Sequence, residues 1–330
     1  MNTRSVQIHA LILAVVLAAA WFITHAEEKP ADNKTDKGPV LVQSAEGDTE
    51  SIVWSTDDKT LRIEARKDDL GRWFYGIETK STETPADTEG GEPSVEETTE
   101  VFRAGGVAET LWGMLEPFRA VRVLDNLDDA KREELGLNET TGSLKMVVRG
   151  KEHSFQLGGK AYGTSDQYAL TDDGRAVVLP ASVTRDLSQG MRRFRERRLL
   201  SENRTDIDKI LFTEGERSME IEQHNASEGS KAFWARAGEE KEGKAEFKVV
   251  VDKLFGVQAK SYFDEAMDAG EAVLSVTIKS AGVDKDTIEI FSVTEGDKRV
   301  FRARSGHSRL LAEVDDKRVE EMLEALTPLW

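Results

Sequence analysis

The chain has 330 residues, 38% of them hydrophobic and 32% charged, with a formal net charge of −17 at pH 7. That length allows two domains with cores of their own, the apolar content exceeds that of a disordered chain, and the acidic excess excludes nucleic acid as a partner because phosphate is repelled at long range. There is no cysteine, which removes disulfides, thiolate metal sites, a thiol nucleophile and an acylated lipoprotein anchor.

At the N-terminus Arg4 precedes an unbroken apolar run from Ala10 to Ile23, and Glu27 and Glu28 follow it. With Val6 and Ile8 included, residues 6–26 approach the roughly 20 residues of a spanning helix. Cation before and acid after orient such a helix with its N-terminus in the cytoplasm. Trp21 falls at the outer end, where an interfacial anchor belongs. The stretch also has the form of a cleavable signal peptide ending at Thr24-His25-Ala26. Both readings carry the bulk of the chain outside the cytoplasmic (inner) membrane, into the periplasm or an equivalent extracytoplasmic space.

Residues 27–50 read as a polar tether, interrupted by Val40-Leu41-Val42, which has the character of an edge strand. Leu61-Arg62-Ile63-Glu64-Ala65 alternates apolar and charged residues, as a half-buried strand does. Ser51 to Trp54 and Arg72 to Ile77 flank it, with turns at Asp57-Asp58 and Asp68-Asp69. Residues 78–100 hold many acids and no aromatic side chain, and are expected to form an acidic, disordered loop.

A helix is expected next, with Val107, Leu111, Leu115 and Phe118 on one face and Trp112 and Met114 beside them. Pro117 should kink or end it. Strands follow at Leu144 to Val148, Ser154 to Leu157, Gln167 to Leu170 and Ala176 to Leu179, the last two joined by a turn at Asp172-Asp173-Gly174. Pro180 suits the first turn of a helix that carries Val183, Leu187, Met191 and Phe194.

The pattern then restarts. Ile207 to Phe212, Met219 to Glu222 and Phe233-Trp234 repeat the opening strands, and Phe247, Val250, Val251 and Leu254 repeat the amphipathic helix. Leu115 to Asp125 aligns without a gap on Leu254 to Asp264. Strands at Val273 to Ile278, Thr287 to Val293, Arg299 to Ala303 and Leu310 to Glu313 precede a last helix, capped by Asp315 or Asp316 and bearing Val319, Met322, Leu323 and Leu326. The expected fold class is therefore α+β. Two tandem repeats, 51–200 and 201–330, would each be a mainly antiparallel sheet with packed helices, following an N-terminal transmembrane helix or signal at 1–26.

This ordered set resembles an uncharacterised bacterial family of membrane-anchored envelope proteins known only as a domain of unknown function. The resemblance rests on the anchor, the strands ending at Trp73, and the helix running into Ala120-Val121-Arg122-Val123-Leu124. It continues through Glu134-Leu135-Gly136-Leu137, Leu157-Gly158-Gly159, Tyr168-Ala169-Leu170 and the run Arg195 to Leu200. The chain departs from the family's usual Asp-Pro after Gly-Leu, since Asn138-Glu139 follow Leu137. Members are commonly encoded beside gliding-motility-type auxiliary ABC transporters. The resemblance implies an ABC-type permease or other envelope subunits as partners, and it implies no catalytic residues.

No motif of chemistry stands out. His9, His25, His153, His224 and His307 show no pair at metal-ligand spacing. Gly158-Gly159-Lys160 lacks the upstream glycine and following hydroxyl of a phosphate loop, and Gly163-Thr164-Ser165-Asp166 lacks the glycine of a nucleophile elbow. No cofactor is called for, and a non-enzymatic protein is expected. The local anomaly is basic: Arg192, Arg193, Arg195, Arg197, Arg198 and Arg204 cluster at the repeat boundary of an acidic chain. They are expected either to pair with acids of the two repeats and fix their relative angle, or to dock an acidic partner or lipid head groups. The leading function is an accessory or scaffold subunit of an auxiliary transport or motility complex; the alternative is a binding protein or hydrolase for an envelope polymer or small ligand. An alkaline phosphatase fusion after Trp330 should be active and a green fluorescent protein fusion dark, whereas bright cytoplasmic fluorescence would reverse the assigned topology.

Overall fold

Alternating side chains build most of this protein, whose computed structural model describes residues 38–84, 94–239, 243–264 and 267–330. The expected membrane segment and residues 27–37 of the tether lie outside the described residues. Among the described residues no helix is long and apolar enough to cross a membrane.

The first strands are β1 (Val40–Val42), β2 (Thr49–Ser55), β3 (Lys59–Asp68), β4 (Gly71–Thr84) and β5 (Ser94–Ala104). They show why alternation is decisive. Ile52 pairs with Ile63 and Trp54 with Leu61, and all four are buried on one face, while Arg62 projects from the other. Next come α1 (Gly106–Leu115), β6 (Phe118–Arg119), β7 (Arg122–Leu124) and α2 (Asp129–Glu134). Ala108, Leu111, Trp112 and Leu115 form the buried face of α1, at helical spacing. The helix ends before Pro117, as that ring requires. Then β8 (Gly142–Val148), β9 (Lys151–Lys160), β10 (Gln167–Thr171) and β11 (Ala176–Leu179) lead into α3 (Ala181–Gln189) and α4 (Met191–Phe194). Gly190 separates these helices with a positive φ of 65°, so the expected single helix is two short ones.

The remaining elements are β12 (Lys209–Glu214), β13 (Arg217–His224), β14 (Phe233–Arg236), α5 (Ala245–Gly256), β15 (Ala259–Tyr262), β16 (Glu271–Ser280), β17 (Val283–Glu295), β18 (Lys298–Ser305), β19 (Ala312–Val314) and α6 (Asp316–Leu326). Asp315 caps α6 by accepting a bond from the Arg318 N–H. The architecture is mostly antiparallel sheet with helices packed on it. Followed from partner to partner, one run is β4-β3-β2-β8-β9-β10-β11-β7. The other is β14-β13-β12-β16-β17-β18-β19-β15. Strand β5 joins them, pairing with β4 along its length and with β15 through Val101 and Tyr262. Residues from Val40 to Trp330 form one unit, and its main core is continuous from Val42 to Leu326.

Two expectations are corrected. Within the stretch 78–100, expected as an acidic disordered loop, Glu78 to Thr84 and Ser94 to Glu100 are paired strands, and residues 85–93 lie outside the described residues. Its threonines supply the β preference that the acid count obscured, and Thr79 and Thr99 share a hydroxyl hydrogen bond of 3.0 Å across the pair. Glu78 itself is buried; its carboxylate accepts from the Met191 N–H at 2.7 Å and starts α4. The second correction concerns the end of the tether. Val42, Ser44 and Thr49 are buried, Ser44 donates to the Leu115 carbonyl at 3.0 Å, and the Trp112 indole donates to the Thr49 carbonyl at 2.9 Å. The segment 40–50 thus closes over α1.

Gly76 faces Phe102 across β4 and β5, and a Cβ at this position would overlap the phenyl ring. Gly76→Ala should lower the free energy of urea unfolding by about 1–3 kcal/mol, and Phe102→Leu in the same chain should recover part of that loss.

Candidate functional site

The residues between α4 and β12 form the seam of the molecule. Gly105 N–H donates to the Phe194 carbonyl and Glu196 N–H to the Arg103 carbonyl, which ties the segment to the end of β5. On its other side, Ala259 N–H donates to the Arg197 carbonyl, and Arg198 bridges Gln258 beside β15. Ser305 donates its hydroxyl to the Leu199 carbonyl at 2.5 Å, and Leu199 and Leu200 are buried. Residues 194–200 therefore lie as a ribbon between β5 and β15.

Glu196 is the centre of this ribbon. Its Oε1 accepts the N–H groups of Arg197 at 2.9 Å and Arg198 at 3.0 Å. Its Oε2 is 3.5 Å from His307 Nε2, an ion-pair distance without the alignment of a hydrogen bond. The Tyr262 hydroxyl donates to its backbone carbonyl at 2.8 Å. Burial works to raise the carboxyl, but His307, the Arg198 N–H and the charges of both side chains outweigh it and hold Glu196 at about 2, against an ordinary 4.5. Burial pushes the Tyr262 phenol well up, so it stays a neutral donor.

Beside the seam opens a cleft of about 620 Å³, lined in part by Leu70, Arg103, Lys285, Asp286, His307 and Arg309. Asp286 shapes one wall. It accepts from the N–H groups of Thr287 at 2.8 Å, Gly306 at 2.7 Å and His307 at 3.1 Å, which fixes the β18–β19 turn against β17. Burial raises its carboxyl despite those bonds. Arg309 is paired with Asp68 at 2.8 Å across the two runs of strands. Arg103 is 5% exposed and donates through Nε to the His307 carbonyl at 3.3 Å and through Nη1 to the Ala104 carbonyl. Burial lowers its basicity.

The arginine cluster is spread along the seam without converging on one point. Arg193 pairs with Asp186 of α3 at 3.2 Å, Arg198 lies 3.7 Å from Glu196, and Arg204 pairs with Asp252 of α5. Arg195 is half-buried, and its Nε has no hydrogen-bond partner. Arg192 and Arg197 are exposed and make no side-chain ion pair among the described residues. None of the three ion pairs joins residues 51–200 to residues 201–330. The expected guanidinium clamp between the halves is thus replaced by main-chain bonds, because a short extended segment can satisfy both neighbouring strands at once.

Other sequence candidates fall away from the cleft. Gly158 and Gly159 lie in β9, where Gly159 N–H donates to the Leu135 carbonyl and side chains would collide with residues 135–137. Asp166 accepts from the Ala181 N–H at 2.8 Å and caps α3. His224 stacks on Phe233, and His9 and His25 lie outside the described residues. Among the described residues no group of three or more His, Cys, Asp or Glu side chains is placed to hold a metal ion. Arg103, Tyr262, Asp286 and His307 carried no motif in the sequence; only Glu196, within the arginine run, lay near a feature that stood out.

Fold and site define an antiparallel-sheet protein whose polar centre is a buried junction with an adjoining cleft. Residues 105–277 match the family described as a domain of unknown function, DUF4340, and the protein belongs to that family. The match takes in Glu196, Tyr262 and all six arginines of the cluster, while His307 and Asp286 lie beyond it. No curated protein and no solved structure matches the chain.

Because the folded value of Glu196 lies below its unfolded one, the carboxylate contributes stability above about pH 4.5 that is lost as pH falls toward 2. Glu196→Gln should cost about 2–3 kcal/mol at neutral pH and flatten that part of the stability profile in denaturant titrations. Arg193→Glu, by facing Asp186 with like charge at a half-exposed site, should cost about 1 kcal/mol at neutral pH, a loss that shrinks as pH falls and the two carboxylates protonate.

Proposed function

We propose that the protein is a non-catalytic accessory or scaffold subunit of an auxiliary ABC-type transport or gliding-motility-type complex. In this reading residues 6–26 hold it to the cytoplasmic membrane, and residues 51–200 and 201–330 are tandem repeats fused into one rigid platform. Membership in DUF4340 agrees with the resemblance from which this reading starts. The repeat reading draws support from the two runs of strands, in which each successive partner of one has a counterpart at the same place in the other.

The observation that carries the scaffold reading is the seam. Main-chain bonds lock residues 194–200 on both sides, while Arg192 and Arg197 stand exposed and without an ion pair among the described residues. A rigid strip with outward guanidinium groups suits a docking surface for an acidic partner, because no ordering cost falls on the backbone when the partner binds. A second reading, a periplasmic binding protein for an envelope polymer or small ligand, is favoured by the cleft beside Arg103.

Full-length protein solubilised from membranes should bring down a transporter permease in stoichiometric amount. The double variant Arg192→Glu, Arg197→Glu should keep its Tm and lose the permease, and wild-type retention should weaken as salt rises. Retention unaffected by the double variant would remove the seam as the docking surface, and the absence of any transporter subunit would remove the scaffold reading.

A further inference from the structure

We propose that the cleft beside the seam is a binding site for a carboxylate- or phosphate-bearing anion, with Arg103 at its floor and Lys285 at its rim. This goes beyond the scaffold reading and does not depend on it.

The argument begins with Arg103. Its side chain sits in the cleft wall under almost complete burial, over the Trp73 ring at 5.9 Å. A guanidinium so placed is normally neutralised by a carboxylate, since an uncompensated buried charge is strongly unfavourable. Here no carboxylate stands within ion-pair distance among the described residues. The bonds that Arg103 does make go to two main-chain carbonyls, of His307 and Ala104, and these orient the fork without cancelling its charge. Nη2 makes no hydrogen bond among the described residues.

Three of the acids around the floor are already committed, while Glu109 and Asp284 line the cleft at exposed positions beyond ion-pair distance of Arg103. Asp286 turns both oxygens to three backbone N–H groups, Asp68 holds Arg309, and Glu196 is enclosed by the N–H groups of the seam. Lys285, by contrast, is exposed at the cleft with no ion pair among the described residues. A planar fork fixed by its own carbonyl bonds, with a flexible ammonium across the opening, is the arrangement that grips an oxyanion: bidentate bonds set its position and the point charge closes over it.

The rim adds a second property. Leu70, at the β3–β4 turn, lines the cleft and is 68% exposed. A free anion leaves that side chain in water, whereas an anion carrying an alkyl group would cover it. The same head-group chemistry therefore has two sources, a small free oxyanion or an amphiphile, and Leu70 distinguishes them.

The test uses the full-length protein in neutral detergent and follows Tm against inorganic phosphate, acetate and octyl phosphate, with sodium chloride matched for ionic strength. Phosphate or acetate should raise Tm saturably while chloride does not. Lys285→Ala, at an exposed position where folding is unaffected, should weaken the apparent affinity on the order of tenfold. Arg103→Met should abolish the saturable shift yet leave the ligand-free protein no less stable, since it removes a buried unpaired charge. Stronger binding of octyl phosphate that is lost in Leu70→Ser supports the site and assigns an amphiphile; equal binding of the two phosphates supports it and assigns a free anion. A Tm that tracks ionic strength alone for all three probes, or a saturable shift that survives both Lys285→Ala and Arg103→Met, would overturn the proposal.

Discussion

Everything in this molecule is organised by the need to satisfy one extended segment on both sides. Residues 194–200 have β5 on one side and β15 on the other, with main-chain bonds of Phe194 and Glu196 to the first and of Arg197 to the second. Main-chain donors and acceptors in a buried setting must be satisfied, so the segment leaves little freedom in how β5 and β15 approach. Glu196 then collects what remains. Two consecutive N–H groups, an imidazole and the charge of Arg198 converge on a single carboxylate, whose ionisation is what the surroundings stabilise. Removing that charge leaves donors unpaired in a place that water reaches poorly.

A consequence of this design is that the ion pairs of the arginine cluster play a local part, whereas Arg309 and Asp68 pair across the two runs. Arg193 with Asp186 and Arg204 with Asp252 each tie a loop or helix end to its own neighbourhood. Such half-exposed pairs contribute little individually. The charged residues that matter energetically are fewer and deeper: Glu78 at the start of α4 and Asp286 in the turn after β18. With no cysteine in the chain, these polar anchors and one continuous apolar core carry the whole burden of cohesion.

Much of this was legible from residue order. Strict alternation in Leu61 to Ala65 marked a strand because only one of its faces is apolar, and the stripe through Leu111 and Leu115 marked α1 for the same reason at a different period. The sequence misled where composition and conformation part company. Residues 78–100 are acidic enough to suggest disorder, but the threonines among the acids of 78–84 and 94–100 suit a two-stranded ribbon that is largely exposed. The junction was visible as an unusual run of arginines, yet its working parts were invisible. His307 sits 111 positions beyond Glu196, and Arg103 donates to a carbonyl 204 residues away. No local pattern encodes a meeting of that kind; it exists only once the two runs of strands have come together.

That separation bears on how the chain reaches its native state. Synthesis delivers β5 long before β15 exists, so the nascent first half must wait with the Arg197 and Leu199 carbonyls and the outer edge of β5 at Val101 unmatched. Pairings so distant in sequence form slowly, and an unpaired strand edge invites mispairing with other chains in the interval. The wet, acid-laden outer part of the β4–β5 ribbon, with Glu96, Glu97 and Glu100 exposed along it, then has a second value. It repels sister molecules from the very edge that is open during the delay, and so acts as a built-in guard against aggregation until the later strands arrive.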